Sequence, residues 1–285
     1  MTTDEIMAVA LRLAGWDRVP GDSAVFVPGD RIRRALFGLD VGVAELQLAR
    51  ALGADLVIAH HPPAPPAGAW QVFSRHVEFM TAAGVPAEAA QEAVAERLEA
   101  LRLRAHVANT DHVPSAARLL RMPFMNIHAP LDEVGRRRVV EVVDAVLRAS
   151  SATAGDLVDA LGALPEVRAA PVPVRLALGD PGAPVRRVVV AHGAYTNGGY
   201  PVARTCFAHG VDAVIYLHID FADLQRLRAD GRGVLILLGH LAGDSLGFTP
   251  FLAELRRRGL EVVTFSGVLE TGSHAHGGGL LDAWG

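Results

Sequence analysis

Five residues of types that bind metals or transfer protons stand where apolar stretches of this chain end. They are three histidines and two aspartates, namely His60, His61, Asp111, His240 and Asp244. Neutral imidazole binds transition metals and titrates near neutral pH, and carboxylates bind divalent cations. The five side chains therefore predict a metal site.

The adjacent pair His60 and His61 favours two metal ions over one. Neighbouring side chains of a strand point to opposite faces, so a single ion would need a local kink to bind both. His240 and Asp244 are four residues apart, and in a helix they would share one face. Three imidazoles with two carboxylates suit zinc, iron or manganese, and are too rich in nitrogen for calcium or magnesium. We therefore predict two divalent ions, which would acidify a bridging water to hydroxide at neutral pH.

Other polar residues near the predicted site have two interpretations each. His192 and His218 lie near strand ends and could contact a substrate or relay a proton, but structural contacts explain them at least as well. Asp40 also ends a strand, and we interpret it as a turn residue rather than a support for the site. His274 and His276 lie in a glycine-rich tail that could bind metal, although a solvated tail is the default.

A scaffold must bring these distant residues together. The strand 34–39, the helix 45–52 and the strand 56–59 form a strand–helix–strand unit, which implies parallel strands and an α/β fold. In open α/β sheets, ligands bind beyond the carboxyl ends of the strands, where the candidate residues stand. Further patterns predict helices at 3–13, 87–103, 134–149, 154–161 and 249–258, and strands at 174–178, 185–190, 213–218, 234–238 and 260–265.

The composition narrows the class of protein. A chain of 285 residues fits one large domain or two medium ones, and 51% apolar residues are ample for a core. The net charge of -4 gives no electrostatic reason to expect nucleic-acid binding. Cys206 is the single cysteine and the N-terminus lacks a secretion-signal pattern, so a cytoplasmic protein is expected. No apolar stretch approaches the roughly 20 residues of a membrane span.

The motifs resemble those of the NGG-interacting-factor-three-like family, also known as GTP cyclohydrolase type-two-like or dinuclear-metal-centre hexameric proteins. The family's His-His-Pro motif matches residues 60–62, and its late Gly-His-x-x-x-Glu motif matches residues 239–244, with Asp244 in place of the Glu. Its Thr-Asn-x-Asp segment is matched loosely by residues 108–111. The flanking segments agree as well, so the likeness covers nearly the whole chain.

The resemblance implies two similar α/β domains with mixed sheets flanked by helices, a dinuclear metal site in the cleft between them, and a ring-shaped homohexamer. We place the metal-binding domain at residues 1–128 and 235–285, and the second domain at residues 129–234. The resemblance also implies four metal ligands, which are His60, His61, Asp111 and His240. It places Asp244 at the position of the carboxylate that bridges the two ions.

The chain departs from the family pattern at several positions. Aspartate at position 244 is one methylene shorter than glutamate, which would weaken the bridge or lose one metal. The family histidine four residues before the aspartate is replaced by Val107, and an acidic position of the second half is replaced by His218. The segment between His61 and Asp111 is longer than usual. These departures indicate a divergent branch.

Together, these patterns lead to one functional prediction and its alternative. We predict a metal-dependent hydrolase that acts on a small, nucleotide-like substrate through a metal-bound hydroxide, with His218 or His192 relaying a proton. The alternative is a non-enzymatic metal-binding or ring-shaped scaffold protein, which the shortened carboxylate and the unassigned general base favour. A ring that binds nucleic acid gains no support from the net charge.

Overall fold

Two mixed sheets flanked by helices form the protein in a computed structural model, which describes residues 1–271. The helices are α1 (Thr3–Ala14), α2 (Val43–Ala51), α3 (Ala69–Phe73), α4 (Arg75–Ala82), α5 (Ala87–Val107), α6 (His112–Leu120), α7 (Ala129–Leu147), α8 (Ala154–Gly162), α9 (Pro165–Ala169), α10 (Gly199–Ala208), α11 (Phe221–Asp230) and α12 (His240–Arg257). The strands are β1 (Ala24–Val27), β2 (Arg34–Gly38), β3 (Leu56–Ala59), β4 (Phe124–Asn126), β5 (Arg175–Leu178), β6 (Val188–Val190), β7 (Ala213–Tyr216), β8 (Val234–Leu237) and β9 (Glu261–Phe265).

The two sheets share one design, in which parallel strands carry a single antiparallel strand at one edge. The first sheet has the order β1-β4-β3-β2-β9, with β1 antiparallel to β4. The second has the order β5-β8-β7-β6, with β5 antiparallel to β8. All four residues of β3 and of β7 are buried, as expected for parallel strands covered on both faces. The predicted α/β fold with two mixed sheets is confirmed.

Helices α7 and α12 pack against each other and join the two sheets. Ala242 and Leu246, near the start of α12, belong to the core of the second sheet. Phe248 and Phe251, one turn further on, belong to the core of the first sheet. The first turns of α12 are therefore held from both sides, which fixes the position of any residue they carry.

The predicted elements differ from the structure mainly at prolines. We predicted the last long helix from residue 249, but α12 already begins at His240 and contains Pro250 in its interior. Proline leaves the carbonyl four residues earlier without its usual backbone donor. Arg138 supplies that donor, since its Nη1 lies 2.9 Å from the carbonyl oxygen of Leu246. Similarly, α7 begins at Ala129 rather than 134, with Pro130 in its first turn.

Helices α3, α4 and α5 belong to the predicted metal-binding domain but pack against the second sheet. Residues of α3, α4 and α5, including Phe73, Met80 and Val94, form one core with Val214 and Leu235 of the second sheet. Strand β8, at the predicted domain boundary of residue 235, also pairs within the second sheet. The division into domains stays a prediction. No helix within residues 1–271 is both long and apolar enough to cross a membrane.

Candidate metal centre

Six side chains from both halves of the fold meet beyond the carboxyl ends of the strands. They are His60, His61, His128, Asp132, His240 and Asp244. They form three overlapping groups, in each of which the potential ligand atoms lie within 4.8 Å of one another. The groups are His60 with Asp132 and Asp244, His61 with His240 and Asp244, and His60 with His61 and His128.

The end of β3 explains how two adjacent histidines reach one place. The backbone N–H groups of His60 and His61 still bond to the carbonyls of Gly38 and Leu39, at 2.8 and 2.9 Å. The chain bends at these two residues, and Pro62 prevents the strand from continuing. As a result, the two imidazole rings lie 5.0 Å apart between their centroids.

The other four candidate ligands lie at the N-terminal ends of two helices, α7 and α12. His128 and Asp132 lie four residues apart at the beginning of α7, which follows β4. His240 and Asp244 have the same spacing at the beginning of α12, so they share one helix face as predicted. Gly239 has a φ of +93° where the chain turns from β8 into α12, a conformation that favours glycine.

Asp244 lies at the centre of the cluster despite its short side chain. Its Oδ2 is 3.0 Å from Nε2 of His240, 3.6 Å from Nε2 of His61 and 3.7 Å from Nε2 of His60. Two ligand atoms that bind the same zinc ion, each at about 2.1 Å, lie roughly 3–3.5 Å from each other. The separations therefore fit ligands of shared ions, and Asp244 belongs to two of the three groups.

Three of the histidines are oriented by acceptors outside the cluster. Their Nδ1 atoms pair with one backbone carbonyl and two carboxylates, in the pairs His60–Ile127 (3.0 Å), His61–Asp40 (2.7 Å) and His128–Asp22 (2.6 Å). Because Nδ1 donates in each pair, Nε2 is the ring nitrogen that could bind a metal. Asp40, which we interpreted as a turn residue, therefore supports His61.

Several buried atoms of the cluster face one another without a protein donor. Within residues 1–271, His60 Nε2, Asp132 Oδ1, Asp244 Oδ2 and His192 Nε2 are buried and lack a hydrogen-bond partner. The first two lie 3.2 Å apart, where two lone pairs would repel. Burying such atoms costs about 1–3 kcal/mol each unless a partner is supplied. A divalent cation would supply that partner for nitrogen and carboxylate oxygen alike, so the residues fit the implied metal.

The charges of the cluster also suit a cation. Burial opposes ionisation of Asp132, but His128 and His192 hold its pKa below the usual range. Asp244 is likewise buried, but the neighbouring imidazoles of His240, His61 and His60 outweigh burial and keep its pKa well below its usual range. Burial lowers the pKa of His60 in spite of Asp132, which keeps this imidazole neutral. The cluster thus presents ionised carboxylates and a neutral ligand nitrogen.

His128 differs from His60 in its charge state. Burial acts to lower its pKa, but the carboxylates of Asp132 and Asp22 outweigh burial and raise the pKa to about 9. A metal ion that binds here would have to displace this proton, so metal binding at His128 would release a proton.

A cavity of about 40 Å³ adjoins the cluster on the side of the second sheet. His192 and His218, which follow β6 and β7, line it together with Tyr195 and Asn197. The side-chain amide of Asn197 donates to Nδ1 of His218 at 3.2 Å. Burial and the nearby His240 lower the pKa of His218. Two histidines therefore border the cavity, which has room for one or a few water molecules.

The structure brings together four of the five predicted ligands and leaves out Asp111. Residues up to Val107 are helical rather than a strand, and Asp111 lies on the surface just before α6. Its two carboxylate oxygens bind Arg118 at 2.6 and 2.7 Å. Asp132 occupies the place we expected for Asp111.

His128 and Asp132 were not predicted, although the sequence carries a signal for them. The resemblance called for a histidine four residues before an aspartate, and residues 128–132 have this spacing. We placed it at residues 107–111 on the loose match of residues 108–111 to the family's Thr-Asn-x-Asp segment. The strand β4 is only three residues long, and Pro130 disguises the start of α7. His274 and His276 lie outside the described residues.

Fold and cluster together define a two-sheet α/β protein with buried histidine and aspartate groups that could bind metal. A NIF3 superfamily protein from Sphaerobacter thermophilus has a similar crystal structure, with a TM-score of 0.91 and 45% sequence identity over 94% of this chain and 98% of that one. The chain belongs to the NIF3 superfamily, the family that its motifs resemble.

More distant structures share the fold alone. Reduced HcgD from Methanocaldococcus jannaschii has a TM-score of 0.56 and 12% identity, over 93% of this chain and 97% of that one. The protein ybgI, described as of unknown function, has a TM-score of 0.50 and 17% identity. The match covers 95% of this chain and 100% of that one. No family model and no curated protein matches the chain.

Proposed function

We propose that the protein binds two divalent metal ions and is a metal-dependent hydrolase of a small molecule. The observation that supports it best is the set of buried, mutually facing ligand atoms without partners in the described part of the chain. Five residues would hold the ions, and these are His60, His61, Asp132, His240 and Asp244. Zinc, iron and manganese suit this ligand set.

The bound ions would supply positive charge that polarises a substrate and lowers the pKa of water. The chain's own residues do the remaining work. Asp40 and the carbonyl of Ile127 orient His61 and His60 through their Nδ1 atoms. Asn197 donates to Nδ1 of His218, so neutral His218 carries its proton on Nε2 and can donate a hydrogen bond to a leaving group. His192 offers a free Nε2 at the same cavity and can accept a proton.

The cavity volume limits the substrate. About 40 Å³ admits water and a small reacting group, so the remainder of a nucleotide-like substrate would have to lie outside it. A second opening reaches the cluster at His61, where Asp40, Glu45 and Phe265 line a depression of about 440 Å³. The larger depression is the better candidate for the bulk of a substrate.

Turnover by defined variants tests the hydrolase. The wild type, loaded separately with zinc, manganese or iron, is assayed on GTP and on a panel of phosphoesters. We expect hydrolysis that is lost in His60→Ala and Asp244→Ala, and reduced in His218→Ala and His192→Ala with the metal content unchanged. His209→Ala, at an exposed histidine that belongs to neither the cluster nor the cavity, controls for the loss of any imidazole. Activity that survives both His60→Ala and Asp244→Ala would overturn the proposal.

The small cavity gives the alternative a specific basis. A protein that only stores metal, or a ring-shaped scaffold, needs no space for a substrate. Metal bound at two ions per chain by elemental analysis, without turnover on any substrate, would favour this alternative over the hydrolase.

The assembly and the compartment are also proposals. Family resemblance favours a homohexamer, which light scattering after size-exclusion chromatography tests directly. The single buried cysteine, Cys206, accords with a cytoplasmic protein, and fractionation of cells that express it at natural levels tests that expectation.

A further inference from the structure

Tyr195 lines the cavity beside the cluster in a backbone conformation that side chains rarely adopt. Its φ is +69°, in the left-handed region that favours glycine. The ring of Tyr195 stands nearly perpendicular to that of His128, with 5.7 Å between the centroids. Its hydroxyl group forms no hydrogen bond within residues 1–271. The loop after β6 therefore presents a donor that the described fold does not use.

Two neighbouring side chains of α4 hold the backbone on either side of Tyr195. Arg75 donates to the carbonyl of Gly193, and Nε2 of His76 donates to the carbonyl of Thr196 at 2.9 Å. Burial lowers the pKa of His76 to about 4, so this ring is neutral at pH 7 and its one donor is engaged in that bond. These two contacts keep Tyr195 in its disfavoured conformation.

One face of α5 lies near Tyr195 and carries two arginines. Arg97, Leu101 and Arg104 are spaced by four and three residues, which places them on the same side of the helix. Leu101 is buried in the core against which Tyr195 packs, so the two arginines flank that contact. Their charges act on the phenol, because burial and Asp22 raise the pKa of Tyr195 whereas Arg104 and Arg97 oppose that rise.

The two arginines are exposed and have no acidic partner in the described part of the chain. Neither has an Asp or Glu three or four positions away on α5. By contrast, Arg102 on another face of α5 pairs with Glu99 at 3.6 Å and lies over the ring of Trp70 at 4.3 Å. The charge of Asp22 is already engaged by His128, at 2.6 Å. Unpaired positive charge therefore accumulates beside the cavity.

We propose that Arg97, Arg104 and the hydroxyl group of Tyr195 bind a phosphate group of the substrate. A guanidinium group presents paired donors that match two phosphate oxygens, and the phenol can donate to a third. The ring of His128 lies 5.7 Å from that of Tyr195 and 5.7 Å from that of His61. A nucleotide-sized molecule can thus contact both this subsite and the depression at His61. The inference rests on the proposed function for its substrate, but phosphate binding here needs neither hydrolysis nor a bound ion.

Calorimetric titration of the metal-loaded protein with guanosine 5′-monophosphate and with guanosine tests the subsite, because the two probes differ only in the phosphate. We expect the monophosphate to bind at least about 10-fold more tightly than guanosine. Arg97→Gln and Arg104→Gln should each weaken binding of the monophosphate by about 10-fold and leave guanosine unchanged. Arg102→Gln is the matched control on the same helix and should leave both probes unchanged.

Two further variants separate the hydroxyl group from the charges. Tyr195→Phe keeps the ring and should weaken binding of the monophosphate by about 5-fold. The double variant Arg97→Gln/Arg104→Gln should lose about 100-fold, and most of the salt dependence of binding should disappear with it. Circular dichroism and thermal melting establish that each variant is folded.

Asp244→Asn distinguishes failure of the subsite from failure of the metal-dependent hydrolase. Loss of monophosphate binding in the two arginine variants supports the subsite, whether or not any variant hydrolyses a substrate. Binding that is lost in Asp244→Asn but unchanged in Arg97→Gln and Arg104→Gln would assign the phosphate to the metal ions alone and overturn the subsite. Absence of monophosphate binding by the wild type would overturn it as well. Arginine-dependent binding of single-stranded DNA without binding of the monophosphate would also overturn the proposal, since the phosphate would then belong to a nucleic acid.

Discussion

Asp132 and Glu133 are neighbours in α7 and equally buried, at 5% and 3% exposure, yet they are partnered in opposite ways. Glu133 accepts hydrogen bonds at both carboxylate oxygens from Arg75, Arg136 and Arg137, at 2.8 to 3.1 Å. Asp132 Oδ1 has no donor among residues 1–271 and faces a ligand nitrogen instead.

Burial of an acid therefore does not by itself identify a functional group. The arginines that satisfy Glu133 also connect structural elements, since Arg75 of α4 donates to Glu133 and to the carbonyl of Gly193. Glu133 therefore stabilises the fold, while the incomplete bonding of Asp132 leaves it free for a cation. If this comparison is right, substitutions at the two positions should affect different measurements.

The largest effect is expected on stability, from Glu133→Gln. The variant leaves three arginines facing a neutral side chain, so the free energy of unfolding of the metal-free protein should fall by about 3 kcal/mol at pH 7. Denaturant titration measures this change. Glu78→Gln is the matched control, because Glu78 is exposed and lies 3.9 Å from the same Arg75, and should change stability by less than about 0.5 kcal/mol. Metal affinity should stay the same in both variants.

The next effect is expected on metal binding, from Asp132→Asn. Loss of the charged ligand should weaken binding by about 100-fold, or about 2.7 kcal/mol, as isothermal titration would show. The metal-free variant should also lose stability at pH 7, because a carboxylate whose pKa His128 and His192 hold below the usual range stabilises the folded protein. Large destabilisation of the metal-free protein with normal metal affinity would reverse the roles that we assign to the two residues.

A smaller effect is expected on the stability difference between the wild type and Glu133→Gln when the pH is lowered. Burial opposes ionisation of Glu133, but Arg136 and Arg75 outweigh it and lower its pKa from 4.5 to about 2. The stability that the ionised form contributes is fully present above pH 4.5 and is lost as the pH falls towards 2. The difference in stability between wild type and Glu133→Gln should therefore shrink by roughly 1 kcal/mol per pH unit in this range. A difference that stays constant down to pH 2 would contradict the ion pairs as its cause.

The smallest effect is expected from Asp111→Asn. Asp111 and Arg118 are exposed, and such surface pairs contribute about 0–1 kcal/mol. Metal stoichiometry by elemental analysis should match that of the wild type. Loss of a metal ion in this variant would restore Asp111 as a ligand and undo the assignment of Asp132.

Strand β3 with its two histidines and the pair on α12 were predictable because local patterns encode them. A short apolar run ending in His-His-Pro specifies a buried strand end, and a four-residue spacing specifies one helix face. Asp132 was not found, because Pro130 suggests a break whereas the first turn of a helix accepts it. The start of α12 was missed because the bond from Arg138 to Leu246, which compensates for Pro250, joins residues 108 positions apart in sequence.

Local patterns in the sequence specified the residue types of a metal site, the alternation of strands and helices, and the family resemblance, because these depend on neighbours within a few positions. The folded structure was needed to show which aspartate joins the histidines, that Asp22 and Asp40 orient two of them, and that Glu133 belongs to the fold rather than to the site. Each of these distinctions depends on which atoms meet across large sequence separations, and local spacing carries no record of such contacts.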